Sequence, residues 1–171
     1  LDSHDSVNML IVQPNIDPYK DKFSLSQAKQ TQVVLQLIKE KINDELDFIL
    51  LPETFLASPI WSHELMKNLD MIIFKQLTNQ YTNLNIVVGG TILELSKKTS
   101  TSKPLFNDKN QFYKVYNSAI NINNTGVDKY FKSKLVPGAE QMPFQDLLYP
   151  ILGDRILQIG SSTSLGNFSR Q

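Results

Sequence analysis

The chain has 171 residues, enough for one domain or a large part of one, and its 41% apolar and 20% charged content excludes a disordered segment. Lysine plus arginine balances aspartate plus glutamate at 17 each, so no basic excess recommends nucleic acid as a partner. Cysteine is absent and histidine occurs only as His4 and His63, which excludes disulfides, thiolate sites and a cysteine nucleophile within these residues, and leads us to expect no metal.

No run of about 18 apolar residues offers a membrane span. Residues 1–6 are polar, lack Met and carry no secretory signal, so the chain reads as excised from something longer. Residues 7–13 form a short apolar run with β-branched side chains, bounded by Pro14-Asn15, and read as a buried strand. Asn15-Ile16-Asp17-Pro18 is a turn, followed by a polar-aromatic loop over 19–23 whose Tyr19 and Phe23 either line a cleft or cover the edge of the core.

A helix is expected over 24–43. Ser24 or Ser26 can cap its start, and Val34, Leu35, Ile38 and Ile42 recur at helical spacing as one apolar face, with residues 39–41 solvated. Residues 47–51 are a second apolar strand, ended abruptly by Pro52-Glu53-Thr54. A carboxylate directly after such a strand stands at its C-terminal edge, where α/β sheets hold their ligands, and apolar neighbours there can raise its pKa and make it a useful base. Glu53 reads equally as a helix cap or an ion-pair partner. A second helix is expected over 58–81, with Pro59 in its first turn and Leu65, Leu69, Ile72, Ile73 and Leu77 as its stripe; Trp61 and His63 read as packing or surface.

Residues 85–95 form a third strand containing Gly89-Gly90, a pair that marks a bulge or the close approach of another backbone. Residues 96–111, rich in Ser, Thr, Lys and Asn, read as a surface loop, locally basic through Lys97, Lys98, Lys103 and Lys109. Strands over 112–121 and 127–135 flank a hairpin turn at Asn123-Asn124-Thr125-Gly126. A short helix or turn over 144–151 and a strand over 155–159 follow, then a Ser/Gly-rich end. A sheet edge left exposed near Gly160 would be avoided in nature, so these residues are expected to be cut from within a larger domain. The order of elements predicts an α/β or α+β fold, with helices layered on a sheet.

The stretch from Lys132 to Pro143 is the most distinctive. It reads Lys132-Ser133-Lys134-Leu135-Val136-Pro137-Gly138-Ala139-Glu140-Gln141-Met142-Pro143. Pro-Gly forces a turn and Pro143 stiffens its exit, so Lys132 and Glu140 can be presented to one cleft on loops held by a scaffold. Taken alone, this spacing favours an ordinary surface turn over a catalytic pair.

Three segments together change that reading. Val12-Gln13-Pro14-Asn15-Ile16, Leu51-Pro52-Glu53-Thr54, and Tyr130-Phe131-Lys132 through Pro143 resemble the nitrilase-like (carbon–nitrogen hydrolase) domain of the apolipoprotein N-acyltransferase family, and Tyr116-Asn117-Ser118-Ala119 fits it too. The resemblance extends along nearly the whole chain. It implies a four-layer α-β-β-α sandwich, incomplete here, and a Glu-Lys-Cys triad. Glu53 matches the general base, Lys132 the catalytic lysine and Glu140 a further glutamate near the site. An aromatic of the first loop falls at Phe23 only with an inserted residue. The implied reaction is ping-pong transfer of an acyl chain from a phospholipid, through a cysteine thioester, to the N-terminal amine of an S-diacylglyceryl-cysteine lipoprotein. No cofactor is implied.

The implied location is a bacterial inner membrane, with this domain in the periplasm and membrane segments outside this chain. The chain departs from the family in lacking the cysteine and the membrane helices, and in carrying Pro14 and Gly138-Ala139 where Gly and Phe-Gly are commoner. The family places its cysteine on a later strand. Two rival readings stand beside this one: a soluble nitrilase-type amidohydrolase, and a catalytically inactive fragment that binds lipid or lipoprotein.

Overall fold

The computed structural model describes residues 6–16, 26–99, 102–105, 107–108 and 110–134. In chain order the elements are β1 (Met9–Ile11), α1 (Gln27–Lys39), β2 (Phe48–Leu50), β3 (Ile60–Trp61), a 3-10 turn (Ser62–Lys67), α2 (Leu69–Gln80), β4 (Asn85–Ser96), β5 (Lys103–Pro104), β6 (Phe112–Ile122) and β7 (Val127–Phe131). The chain divides into two compact units: residues 1–91 with 118–130, and residues 92–117 with 131–171.

In the first unit the strand order is β1-β2-β4-β6, with β3 also on β4 and β7 also on β6. β1, β2 and β4 are parallel, in a register that sets Leu10 beside Ile49 and Ile49 beside Ile86. Parallel neighbours need a long crossover, which the stretches holding α1 and α2 supply. Side chains alternate in direction along a strand. Ile49, Ile86 and Val88 therefore fall on one face and are fully buried, together with Val34, Met71, Phe74, Leu84, Ile120 and Ile122. Each such side chain contributes about 1.5–3 kcal/mol through removal from water. The alternate positions of β1 are open: Met9 is 48% and Ile11 70% exposed. The first strand is thus shorter than expected and only half covered, although the ladder continues one residue further through the Val12 N–H to the Leu50 carbonyl at 2.9 Å.

α1 begins where a cap is present. Ser26 has extended backbone angles and its hydroxyl accepts from the Lys29 N–H, so of the two candidate serines it is Ser26 that caps. The helix stops at Lys39, four residues before the expected end; the Lys41 and Ile42 N–H groups both close onto the Ile38 carbonyl. The predicted face is present in Val34 and Ile38, and Gln30 and Thr31 extend it.

The single helix expected over 58–81 is not formed. Ile60–Trp61 pairs with β4 as a short strand, a 3-10 turn follows, and α2 starts only at Leu69. Asn68 causes the break. Its extended backbone ends the 3-10 turn, and its side-chain oxygen accepts from the Asp70 and Met71 N–H groups to start α2 afresh. The restart resets the phase: Leu69 is 75% exposed, while Asp70, Met71, Phe74 and Thr78 are buried. Trp61 is half-buried, His63 is exposed, and their rings lie 5.8 Å apart. The hairpin turn forms as expected, with the Asn123 N–H on the Gly126 carbonyl and the Lys75 ammonium on the Asn123 carbonyl at 2.7 Å.

In the second unit, β5 pairs antiparallel with β6, setting Lys103 beside Tyr113 and Pro104 beside Phe112. This short strand lies inside the stretch expected to be loop throughout. Tyr116 stacks on Phe131 at 4.2 Å and 19°. β7 ends at Phe131, short of the expected 135. The elements expected over 144–151 and 155–159 lie outside the described residues. The described residues form a mixed α/β fold with a multi-strand sheet and few helices, consistent with a nitrilase-like fold. No helix among the described residues is long and apolar enough to cross a membrane.

Candidate functional site

β1 and β2 lie side by side and parallel, so the loops that leave their C-terminal ends emerge together. These loops carry the first two sequence motifs. Gln13, Pro14, Asn15 and Ile16 after β1, and Pro52, Thr54 and Phe55 after β2, line one cavity of about 350 Å³, with Gln30 of α1 completing it. That volume falls in the range of small-molecule pockets, and the C-terminal edge of parallel strands is where α/β sheets bind ligands. The lining mixes apolar side chains with amides and a hydroxyl. Asn15 takes the left-handed conformation, φ 51°, which asparagine tolerates better than most residues.

Glu53 stands between two lining residues, at the first central position of a β-turn closed by the Phe55 N–H on the Pro52 carbonyl at 3.2 Å. The turn is fixed on both sides. The Leu51 N–H donates to the Val87 carbonyl at 2.9 Å, and the Leu56 N–H to the Gly89 carbonyl at 3.1 Å. The chain leaving β2 is therefore bonded to β4 before the turn and again after it, two residues further along β4. Phe55 and Leu56 are buried, Phe55 with its ring 5.8 Å from that of Phe74. Ala57 donates its N–H to Gln27 Oε1 at 3.0 Å, tying the end of the loop to the first turn of α1. Glu53 itself is exposed. The two residues after Thr54 are the buried ones, and they anchor the turn so that its apex faces outward.

Lys132 lies in the second unit, one residue past β7. Its N–H donates to the Asn117 carbonyl at 2.9 Å, so its backbone is still held by β6, and its side chain is half-buried. Its neighbour Phe131 covers Tyr116, whose hydroxyl pKa is raised, first by burial and then by the negative charge of Glu94. Ser133 and Lys134 are exposed. Glu140 and Phe23 lie outside the described residues.

Two contributions to the Glu53 turn were not read from sequence. In the sequence nothing distinguishes Gln27 from the other polar residues at the start of α1. Gly89 carried a signal, since a glycine pair in a strand marks a close backbone approach, but sequence alone does not say which backbone approaches.

The model of the carbon-nitrogen hydrolase family matches residues 11–169, which takes in all three motifs. No curated protein matches the chain.

Proposed function

From the premise that the chain belongs to the carbon-nitrogen hydrolase family, we propose that it is part of an apolipoprotein N-acyltransferase of a bacterial inner membrane, with this domain on the periplasmic side. Family membership itself supports general nitrilase-superfamily chemistry. Support for the narrower reading comes from the sequence between Lys132 and Pro143, whose Lys-Ser-Lys-Leu-Val-Pro-Gly opening and Glu140-Gln141-Met142-Pro143 close resemble the acyltransferases. The structural observation that carries the reading is the shared cavity of the loops after β1 and β2, with Glu53 on the turn at its rim.

In this reading Glu53 takes the proton of a cysteine thiol supplied outside these 171 residues. The thiolate attacks an ester carbonyl of a phospholipid, and the Lys132 ammonium holds the oxyanion of the tetrahedral intermediate. Stabilisation of that kind is worth about 2.7–4 kcal/mol. Collapse releases a lysophospholipid, whose leaving oxygen receives the proton from Glu53. The α-amino group of S-diacylglyceryl-cysteine then attacks the thioester and gives its proton to Glu53. The amide forms, and the thiolate leaves and is reprotonated. Glu140 stands near this centre by resemblance, and Phe23 belongs to the substrate side.

The test uses the full-length protein in phospholipid vesicles with a labelled acyl chain. A mass increase of one acyl chain on a cysteine, discharged by a diacylglyceryl-cysteine peptide, is the expected result. Release of ammonia from small amides or nitriles, with no acyl-enzyme, overturns it in favour of the amidohydrolase.

A further inference from the structure

Gly89 is buried in β4, directly under the Glu53 turn. A Cβ placed on Gly89 would overlap the Glu53 carbonyl oxygen, carbonyl carbon and Cα. All three are backbone atoms, so no side-chain rotation relieves the overlap. The next residue, Gly90, meets a different neighbour: a Cβ there would lie 2.8 Å from Leu56 Cδ1 and 2.9 Å from its Cβ. Gly126, by contrast, faces open space. The same Gly89 offers its carbonyl to the Leu56 N–H, so it both receives the turn against its Cα and holds the turn's exit.

We propose that Gly89 is a positioning residue for Glu53: the missing side chain is the seat on which the Glu53 backbone rests, and it sets where Glu53 stands between the cavity-lining residues Pro52 and Thr54. The inference rests on the reading of Glu53 as the base, and it adds a residue that touches no substrate. Gly89→Ala must push the Glu53 peptide outward. A displacement of about 1 Å at a catalytic group can cost about 10²-fold in rate.

The experiment compares Gly89→Ala, Gly90→Ala and Gly126→Ala in the full-length protein, reading acyl-enzyme formation against pH and the backbone amide resonances of labelled protein. Gly89→Ala is expected to move the Glu53 and Thr54 resonances, to slow acylation by roughly 10²-fold, and to shift the acidic limb of the pH–rate profile, which reports the base. A mere loss of folded protein would scale the profile without moving it. In a Glu53→Gln background the same substitution is expected to cost almost nothing more, because residues acting through one group are not additive. Gly126→Ala is expected to match wild type.

If Gly89→Ala does not fold, Gly90→Ala reads the same displacement in milder form through Leu56. Unmoved Glu53 and Thr54 resonances, or losses that multiply in the double variant, overturn the proposal. Wild-type acylation by Glu53→Gln overturns the base assignment, a separate failure.

Discussion

A carboxylate works as a base only where its proton partner can reach it, and Glu53, the base of the proposed reaction, is exposed at the apex of a turn anchored by the buried Phe55 and Leu56. Glu53→Gln keeps the size and the turn while removing the proton acceptor. It should slow thioester formation in the full-length protein to a small residual rate with an unchanged melting temperature, read by intact mass and calorimetry; acylation at the wild-type rate would rule out the assignment. Tyr116 permits a second test at this scale. Its hydroxyl pKa lies above the ordinary value of 10.0 because the phenolate is disfavoured by burial and by Glu94. A raised pKa in the folded state means that the folded chain holds its proton longer than the unfolded one. The resulting stability is complete below pH 10 and is lost as pH rises through the folded pKa. Stability measured in denaturant should therefore fall above pH 10, and Tyr116→Phe should lessen that fall.

At the scale of elements, helix starts were legible where a cap stands alone and misread where the cap sits inside an apolar pattern. Ser26 precedes a clean helical period, and α1 begins there. Asn68 lies in the middle of a stripe running from Leu65 to Leu77, and periodicity carried the reading straight across it. The structure breaks at Asn68 because its side chain satisfies two N–H groups at once. Asn68→Ala should cost about 1 kcal/mol of stability, the usual value of a lost N-cap, measured by urea denaturation. α1 and α2 are also joined by a polar bond that no pattern reveals: the Thr31 hydroxyl donates to Asp70 Oδ1 at 2.6 Å, both residues being buried. Thr31→Val leaves that carboxylate oxygen without its donor, and should cost about 1–3 kcal/mol by the same measurement. The strands were easier to read. β4 and β6 fell within a residue of their expected ends, because long alternating runs between turn residues allow little else. Membership of the family was legible too, from the motifs that hold Glu53 and Lys132. The seat at Gly89 was not, since the approach of residues 36 positions apart (89 − 53) is a product of β2 and β4 pairing in parallel.

For the molecule as a whole, zero net charge acts in the same direction as an apolar edge that stands open among the described residues. Val7 just before β1, and Met9 and Ile11 on it, are 55%, 48% and 70% exposed, and β1 stands at the end of the strand order beside β2. Such an edge pairs readily with other chains. The 171-residue chain should therefore self-associate. Ile11→Lys should reduce that association with a stability change within about 0.5 kcal/mol, as read by light scattering and thermal unfolding.

The parallel placement of β4 has one more result, which concerns time rather than space. The turn bearing Glu53 has its partners for Leu51 and Leu56 on residues 87 and 89. A ribosome adding about 5–20 residues per second needs roughly 2–7 s to deliver those 36 residues. Through that interval the emerging turn has no floor, and two of its N–H groups have only water to bond. The base of the proposed reaction is thus among the later features of this unit to be set during synthesis, although its residues are made early.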